Sequence, residues 1–386
     1  MSDTSEPEAA DLSNWRSSPH SRWAFRNVPR LLPVADIAAS SQPMPLPEKP
    51  FAFERFGLAD GSGGTLGFDD VLKATDTDGL VVLHRGCIVH ETYRHGLTPH
   101  TPHIIMSASK SLVGLIAGVL ADEGALDIDA PVSAYVPEIA ATAYAHATLR
   151  HLLDMRAGVV LDERQARAYA IATNWEPLAA TESPIGLSDF FRGLDVAPRP
   201  HSGPFRYVSA NTDLLGWAIE RATGQSFASL ISERLWQPMG AEDRAFLAVD
   251  RDGLPRCTGG ICATLRDLAR VGQLMLAGGH HDGRQIIPRA WLDDIAEDGD
   301  RAAWAQGEFA AGFGGRTMSY RSGWYVVHDQ PGMLFAMGIH GQNLFVDRAN
   351  QIVIAKLSSQ HLPIDPRVVG LTHRAVGEMR RCLSEG

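Results

Sequence analysis

The 386-residue sequence is short of several things, and each shortage removes a class of protein from consideration. It has four cysteines, Cys87, Cys257, Cys262 and Cys382, with no Cys-x-x-Cys spacing, so neither a zinc site nor a disulfide framework is expected. Cys257 and Cys262 are near enough in sequence to pair, but buried free thiols in a reducing, cytoplasmic setting are the expectation. No apolar run approaches the roughly 20 residues of a membrane span, and LVGLIAGVL is too short and broken by glycines. The opening MSDTSEPEAADLSNW is acidic and lacks the apolar stretch of a signal peptide. The formal net charge is -10, with no basic run or basic-aromatic stripe, which argues against nucleic acid as a partner. His, Cys, Asp and Glu form no metal-ligand grouping; the His280-His281 pair sits in a glycine-rich turn, and neither metal nor cofactor is expected. A Gly-x-Ser-x-Gly elbow is also missing, which argues against an α/β-hydrolase.

Lysine is scarce too. Lys49, Lys73, Lys110 and Lys356 are the only four among 35 basic residues. One of them lies in HIIMSASKSLVGLIAGVLADEG, His103 to Gly124, three residues after Ser107 at the head of an apolar helix. Leu112, Leu115, Ile116, Val119 and Leu120 recur at helical spacing and mark the buried face. Ser107 and Lys110 then sit almost one above the other near a helix N-terminus, where free N–H groups favour an anion. Arginine cannot give up its proton in a protein, whereas a buried lysine can, and can then act as a base beside a serine nucleophile. Ser-x-x-Lys alone is a weak pattern, met most often on a solvated helix face.

The rest of the chain reads as α+β. Residues 1–50 are proline-rich and irregular, an N-terminal arm. Gly79–Arg94 is an apolar run, a turn at Arg85-Gly86 and an alternating run, which is a β-hairpin. Helical patterns dominate 131–250; ATLRHLLDMRAG and NTDLLGWAIERATG each stop at a glycine. Residues 160–205 between them read as a long irregular loop. TLRDLARVGQLMLAGG opens another helix with Thr264 as N-cap. SGWYVVHD, MLFAMGIHGQNLFVD and QIVIAKLSS form a strand meander before a closing helix. These patterns predict an antiparallel sheet built from both chain ends, flanked by helices. Its first part is 51–130, a mainly helical domain is inserted at 131–250, and the second part is 251–386.

SASK at Ser107–Lys110, YVSANTD with Tyr207 and Ser209 just before a helix, and a late strand, in that order, resemble the serine β-lactamase and penicillin-binding-protein superfamily. The resemblance is to its class C and esterase-like branch and covers roughly residues 75–385. Within the branch, SRWAFRN, MSASKSL, YVSANTD, GIHGQNL and KLSS are similar to segments of the nylon-oligomer (6-aminohexanoate-dimer) hydrolases, whose second element also reads Tyr-x-Ser. The resemblance implies a β-lactamase-like fold and an acyl-enzyme mechanism. Ser107 would attack, Lys110 would take or relay the proton, and Tyr207 would protonate the leaving group, with the formal base left open between the latter two.

Penicillin-recognising members carry Lys-Thr-Gly on the third element; here Ala336-Met337-Gly338 is aligned with it, a register two or three residues later, centred on His340-Gly341, being the alternative. The backbone N–H groups of Ser107 and Ile339 would form the oxyanion hole, with Gly338 allowing close approach. Ser209 and His340 are supporting residues, and a lone histidine on a strand is more often structural. Loss of the cation costs a substrate carboxylate about 1.5–3 kcal/mol, which favours short esters and linear amides over β-lactams. Tyr169, Trp175 and Trp324 are candidate pocket walls, and Thr258 falls where the nylon-oligomer enzymes have a larger polar side chain. The expected partner is a small-molecule ester or amide, with no nucleic acid and no membrane, and the chain is expected to be a monomer or homodimer. β-Lactamase or D,D-peptidase activity, and a non-catalytic binding scaffold, are the alternatives.

Overall fold

The computed structural model describes residues 10–195, 197, 199–329 and 332–385. Arg85 and Gly86 both have positive φ, 51° and 79°, so the chain reverses in two residues with the twist that hairpins favour. Thr77–His84 (β1) and Cys87–Tyr93 (β2) pair antiparallel across that turn. The five late strands are Met318–Arg321 (β3), Trp324–Val327 (β4), Met333–Gly338 (β5), Gln342–Asp347 (β6) and Ile352–Ser358 (β7). The sheet order is β3-β4-β5-β6-β7-β1-β2, antiparallel throughout. β7 pairs with β1 from Ile352↔His84 to Ser358↔Thr77, so the two ends of the chain meet in mid-sheet.

Alternation divides the sheet's side chains between two cores. Leu80, Val82, Phe335, Phe345 and Ile354 face the closing helix, where Ala375, Val376 and Met379 meet them. Val81, Leu83, Leu334, Leu344 and Val353 face the other way, toward Leu112 and Leu115 of the serine–lysine helix and Leu268 and Leu274 of a later one. The helices concerned are Ser109–Asp122 (α1), Leu265–Leu276 and Pro366–Glu385. α1 is buried all round from Ser109 to Leu120, as a helix apolar on every side must be. The two glycines inside it mark close packing: a Cβ on Gly114 would lie 1.8 Å from the Ser322 carbonyl oxygen, and one on Gly118 2.3 Å from the Trp291 ring.

Thr264 caps its helix as the sequence predicts, accepting the Asp267 N–H at 3.3 Å. Gly224, with φ 69°, ends the helix Ser209–Thr223. Two stretches read as irregular contain regular structure. Within 160–205, Glu163–Ala172 is helical, started by a reciprocal capping pair in which Gln165 N–H donates to Asp162 and Asp162 N–H to Gln165, both at 2.8 Å. Leu187–Arg192 is a second helix. In the arm, Val34–Ile37 is a strand that pairs with Ala245–Ala248 in a small sheet also holding Ile261–Ala263 and His103–Ile104; the arm's first nine residues lie outside the described ones. Among the described residues no helix is long and apolar enough to cross a membrane.

Candidate active site

Ser107 stands in the one-turn 3-10 segment Met106–Ala108 that leads into α1. Met106 before it is buried, with φ at +49°, a conformation L-residues adopt at a cost unless the surroundings impose it. Lys110, in the first turn of α1, is 2% exposed. Its Nζ lies 3.0 Å from Ser107 Oγ and donates to the Thr258 carbonyl at 2.8 Å. Burial holds the amine well below its ordinary pKa; the Arg256 charge pushes it further down and Asp213 opposes. A neutral amine with one N–H committed to Thr258 keeps a lone pair for the serine proton.

Tyr207 arrives from the other side, just before the helix Ser209–Thr223. Its N–H donates to the Glu308 carboxylate at 2.6 Å, and its ring stacks on Phe309 with centroids 5.3 Å apart. Lys110 Nζ is 4.8 Å from the ring centroid. The phenol lines the same cleft as Ser107; burial drives its pKa well above the ordinary value, and the neighbouring Ser107 hydroxyl offsets part of the rise. The three side chains therefore meet although Tyr207 lies a hundred residues beyond the other two.

β5 closes the third side. A Cβ on Gly338 would lie 2.5 Å from the Ile105 carbonyl oxygen and 3.0 Å from Ser107 N, so the strand presses on the turn that holds the serine and only glycine fits. Ser107, Tyr207, Gly338 and Ile339 line one cleft of about 110 Å³, and among the described residues lining it there is no lysine or arginine.

The remaining predicted site residues divide. Tyr169, Trp175 and Ser209 border a second cavity that shares Tyr207 with the first. Thr258 does not offer a pocket wall. It is 3% exposed, its Oγ1 donates to the Ser209 carbonyl at 2.6 Å, and it presents its own carbonyl to Lys110. Trp324 is likewise no wall. It is fully buried behind α1, its indole N–H donating 3.2 Å to the Ser111 carbonyl, because the turn before it is wedged against Gly114. His340 is in the left-handed region at φ 61°, fully buried, with Nδ1–H donating to the Gln360 carbonyl at 2.7 Å; it fixes the β5–β6 turn that carries Ile339.

Two residues absent from the sequence reading anchor the site from below. Asp213 Oδ1 accepts the Thr258 N–H at 2.7 Å, and Oδ2 accepts the Tyr169 hydroxyl at 2.5 Å and an Arg256 N–H. Asp213 and Arg256 side chains are 0% and 5% exposed, a buried ion pair one backbone step from the lysine's hydrogen-bond partner. The signal was an aspartate in the midst of the apolar helix NTDLLGW, where a carboxylate demands a partner.

Comparison with known proteins assigns the chain to a family. The Beta-lactamase family matches residues 68–377. The chain is 34% identical over 355 residues to the 6-aminohexanoate-dimer hydrolase of Paenarthrobacter ureafaciens, covering 90% of this chain and 88% of that one. It is 32% identical over 160 residues to esterase EstB of Burkholderia gladioli, 38% of each chain. Among solved structures, "Putative 6-aminohexanoate-dimer hydrolase from Bacillus anthracis" superposes with a TM-score of 0.88 at 27% identity, covering 97% of both chains.

Proposed function

Because this chain belongs to the beta-lactamase family and is a hydrolase of that fold, we propose that it cleaves short carboxylic esters and linear amides through an acyl-enzyme on Ser107. The observation that carries this reading is a serine hydroxyl in contact with a buried amine, which in turn lies against the ring of a half-buried tyrosine lining the same cleft. The opposed pKa shifts support this division of roles: the amine is pushed toward its neutral form and the phenol toward its protonated one. Ser107 Oγ bonds to the carbonyl carbon as its proton passes to Lys110. The oxyanion is held by the N–H groups of Ser107 and Ile339. As the tetrahedral intermediate collapses, the C–O or C–N bond breaks, and Tyr207 gives its proton to the leaving group and is resupplied from Lys110. Water repeats the sequence on the ester and frees Ser107. Esters and neutral amides are preferred over β-lactams because a substrate carboxylate would find no cation among the described residues of the cleft.

Mass spectrometry during turnover of p-nitrophenyl acetate tests the reading. The expected result is a p-nitrophenol burst with a stoichiometric acetyl adduct on the peptide holding Ser107. An adduct elsewhere rejects the nucleophile, and failure to react with either the ester or a fluorophosphonate leaves a binding scaffold. Efficient labelling by a fluorescent penicillin, in preference to the ester, would restore the β-lactamase reading.

Tyr207 supplies a second test. Tyr207→Phe is expected to lower kcat for a linear amide by about a hundredfold, the lower end for loss of a positioned proton donor. The effect on p-nitrophenyl acetate should be several times smaller, because nitrophenolate leaves without a proton. Equal losses on both substrates would remove the phenol from the leaving-group step.

A further inference from the structure

Among the described residues three large apolar side chains are exposed: Leu178 at 46%, Leu362 at 49% and Ile364 at 54%. Single exposed leucines are ordinary, but these three are not scattered. Ile364 lines the cleft that holds Ser107, Leu362 and Leu178 line the adjoining cavity, and Pro363 lines both. Neighbours extend the apolar surface, for Pro177, Ala179 and Ala180 are exposed as well. The charges in the adjoining cavity are matched to one another: Arg16 to Glu176 at 3.3 Å, and Arg167 to Glu176 and Glu182, each at 2.6 Å. Among the described residues of the rim, the arginines are thus already paired with carboxylates, and the apolar side chains of the two cavities adjoin at Pro363.

Resting on the hydrolase reading above, we infer that this rim is an acyl-chain subsite: an unbranched apolar chain of medium length runs from the carbonyl at Ser107 over Ile364 and Pro363 to Leu362 and Leu178. The direction follows from Tyr207. The leaving group departs toward the phenol, which also borders the second cavity with Tyr169 and Trp175, and the acyl half is left with the cleft leading to Ile364. A chain lying on this rim removes apolar surface from water on both sides, which makes chain length, rather than a charged end group, the quantity selected.

The test is a series of p-nitrophenyl acetate, butyrate, hexanoate and octanoate, kept below aggregation, with wild type and L362S/I364S. In wild type kcat/KM is expected to rise by up to about fourfold per methylene beyond butyrate. In the double variant the octanoate-to-acetate ratio should fall at least tenfold; both side chains are half-exposed, so folding is expected to survive, and circular dichroism checks it. A flat series in wild type, or an unchanged ratio in the variant, overturns the subsite. A variant that alters oligomeric state while keeping the ratio marks the rim as a surface for a second copy and also overturns it. Acetate without turnover in wild type would sink the parent reading instead.

Discussion

Replacing Lys110 with methionine is expected to cut kcat/KM for esters by about 10⁴-fold, the upper end for loss of a positioned base, and to leave the protein at least as stable. The amine is the basic group in contact with Ser107, and the slot it fills is apolar enough to hold it far below its ordinary pKa. Methionine fills a similar volume without a charge to desolvate. The Thr258 carbonyl loses a donor, which costs about 1 kcal/mol, and relief from burying the amine offsets it. The pH dependence has a definite sign. In the folded chain the amine's pKa is depressed, so folding releases a proton wherever the unfolded lysine is still charged. Its contribution to stability is fully present above the ordinary lysine value and is lost as pH falls toward the folded one. Wild type should therefore gain stability relative to Lys110→Met as pH rises toward about 10. The same proton shapes the rate: kcat/KM in wild type falls on the acid side as Lys110 is protonated, and the residual activity of the variant lacks that limb. Denaturant titrations and pH–rate profiles of the two proteins measure both. A variant within tenfold of wild type at pH 7 would remove Lys110 from proton transfer.

Why this lysine was legible in the sequence, and other parts of the site were not, follows from separation along the chain. Ser107 and Lys110 are one helical turn apart, so local periodicity places them together. The Arg85-Gly86 hairpin and the late meander were readable because period-two alternation and turn residues are local as well. Tyr207 has no local mark; its place came from the order of three segments. Thr258 and Trp324 show the limit. Position relative to a motif does not say whether a residue turns its side chain or its backbone to the site: Thr258 gives a carbonyl, and Trp324 gives its bulk to the back of α1. The helix Glu163–Ala172 escaped because its face is mixed and its start is carried by the Asp162–Gln165 pair, in a stretch judged by its tryptophan and prolines. Arg256 is one guanidinium among many in the sequence, and nothing near it in the chain names Asp213, 43 residues away, as its partner.

That pair carries the largest expected effect on stability. Asp213→Ala leaves Arg256 charged and buried, and frees the Thr258 N–H and the Tyr169 hydroxyl together. A loss of about 3–5 kcal/mol follows, the usual result of removing one partner of a buried ion pair. If the uncompensated charge is the cause, Asp213→Asn/Arg256→Met should recover most of that loss, since it removes both buried charges together and the asparagine carbonyl can still accept from the Thr258 N–H. The rate profile separates this positioning role from mere packing. Asp213 holds the Lys110 pKa up and Arg256 holds it down, with Arg256 the stronger of the two. Asp213→Asn, assayed where it remains folded, should move the acid limb of kcat/KM to lower pH. The double variant should move it to higher pH than wild type. Limbs that coincide in all three proteins would mean that the pair braces the fold without tuning the base, whatever the denaturation curves show.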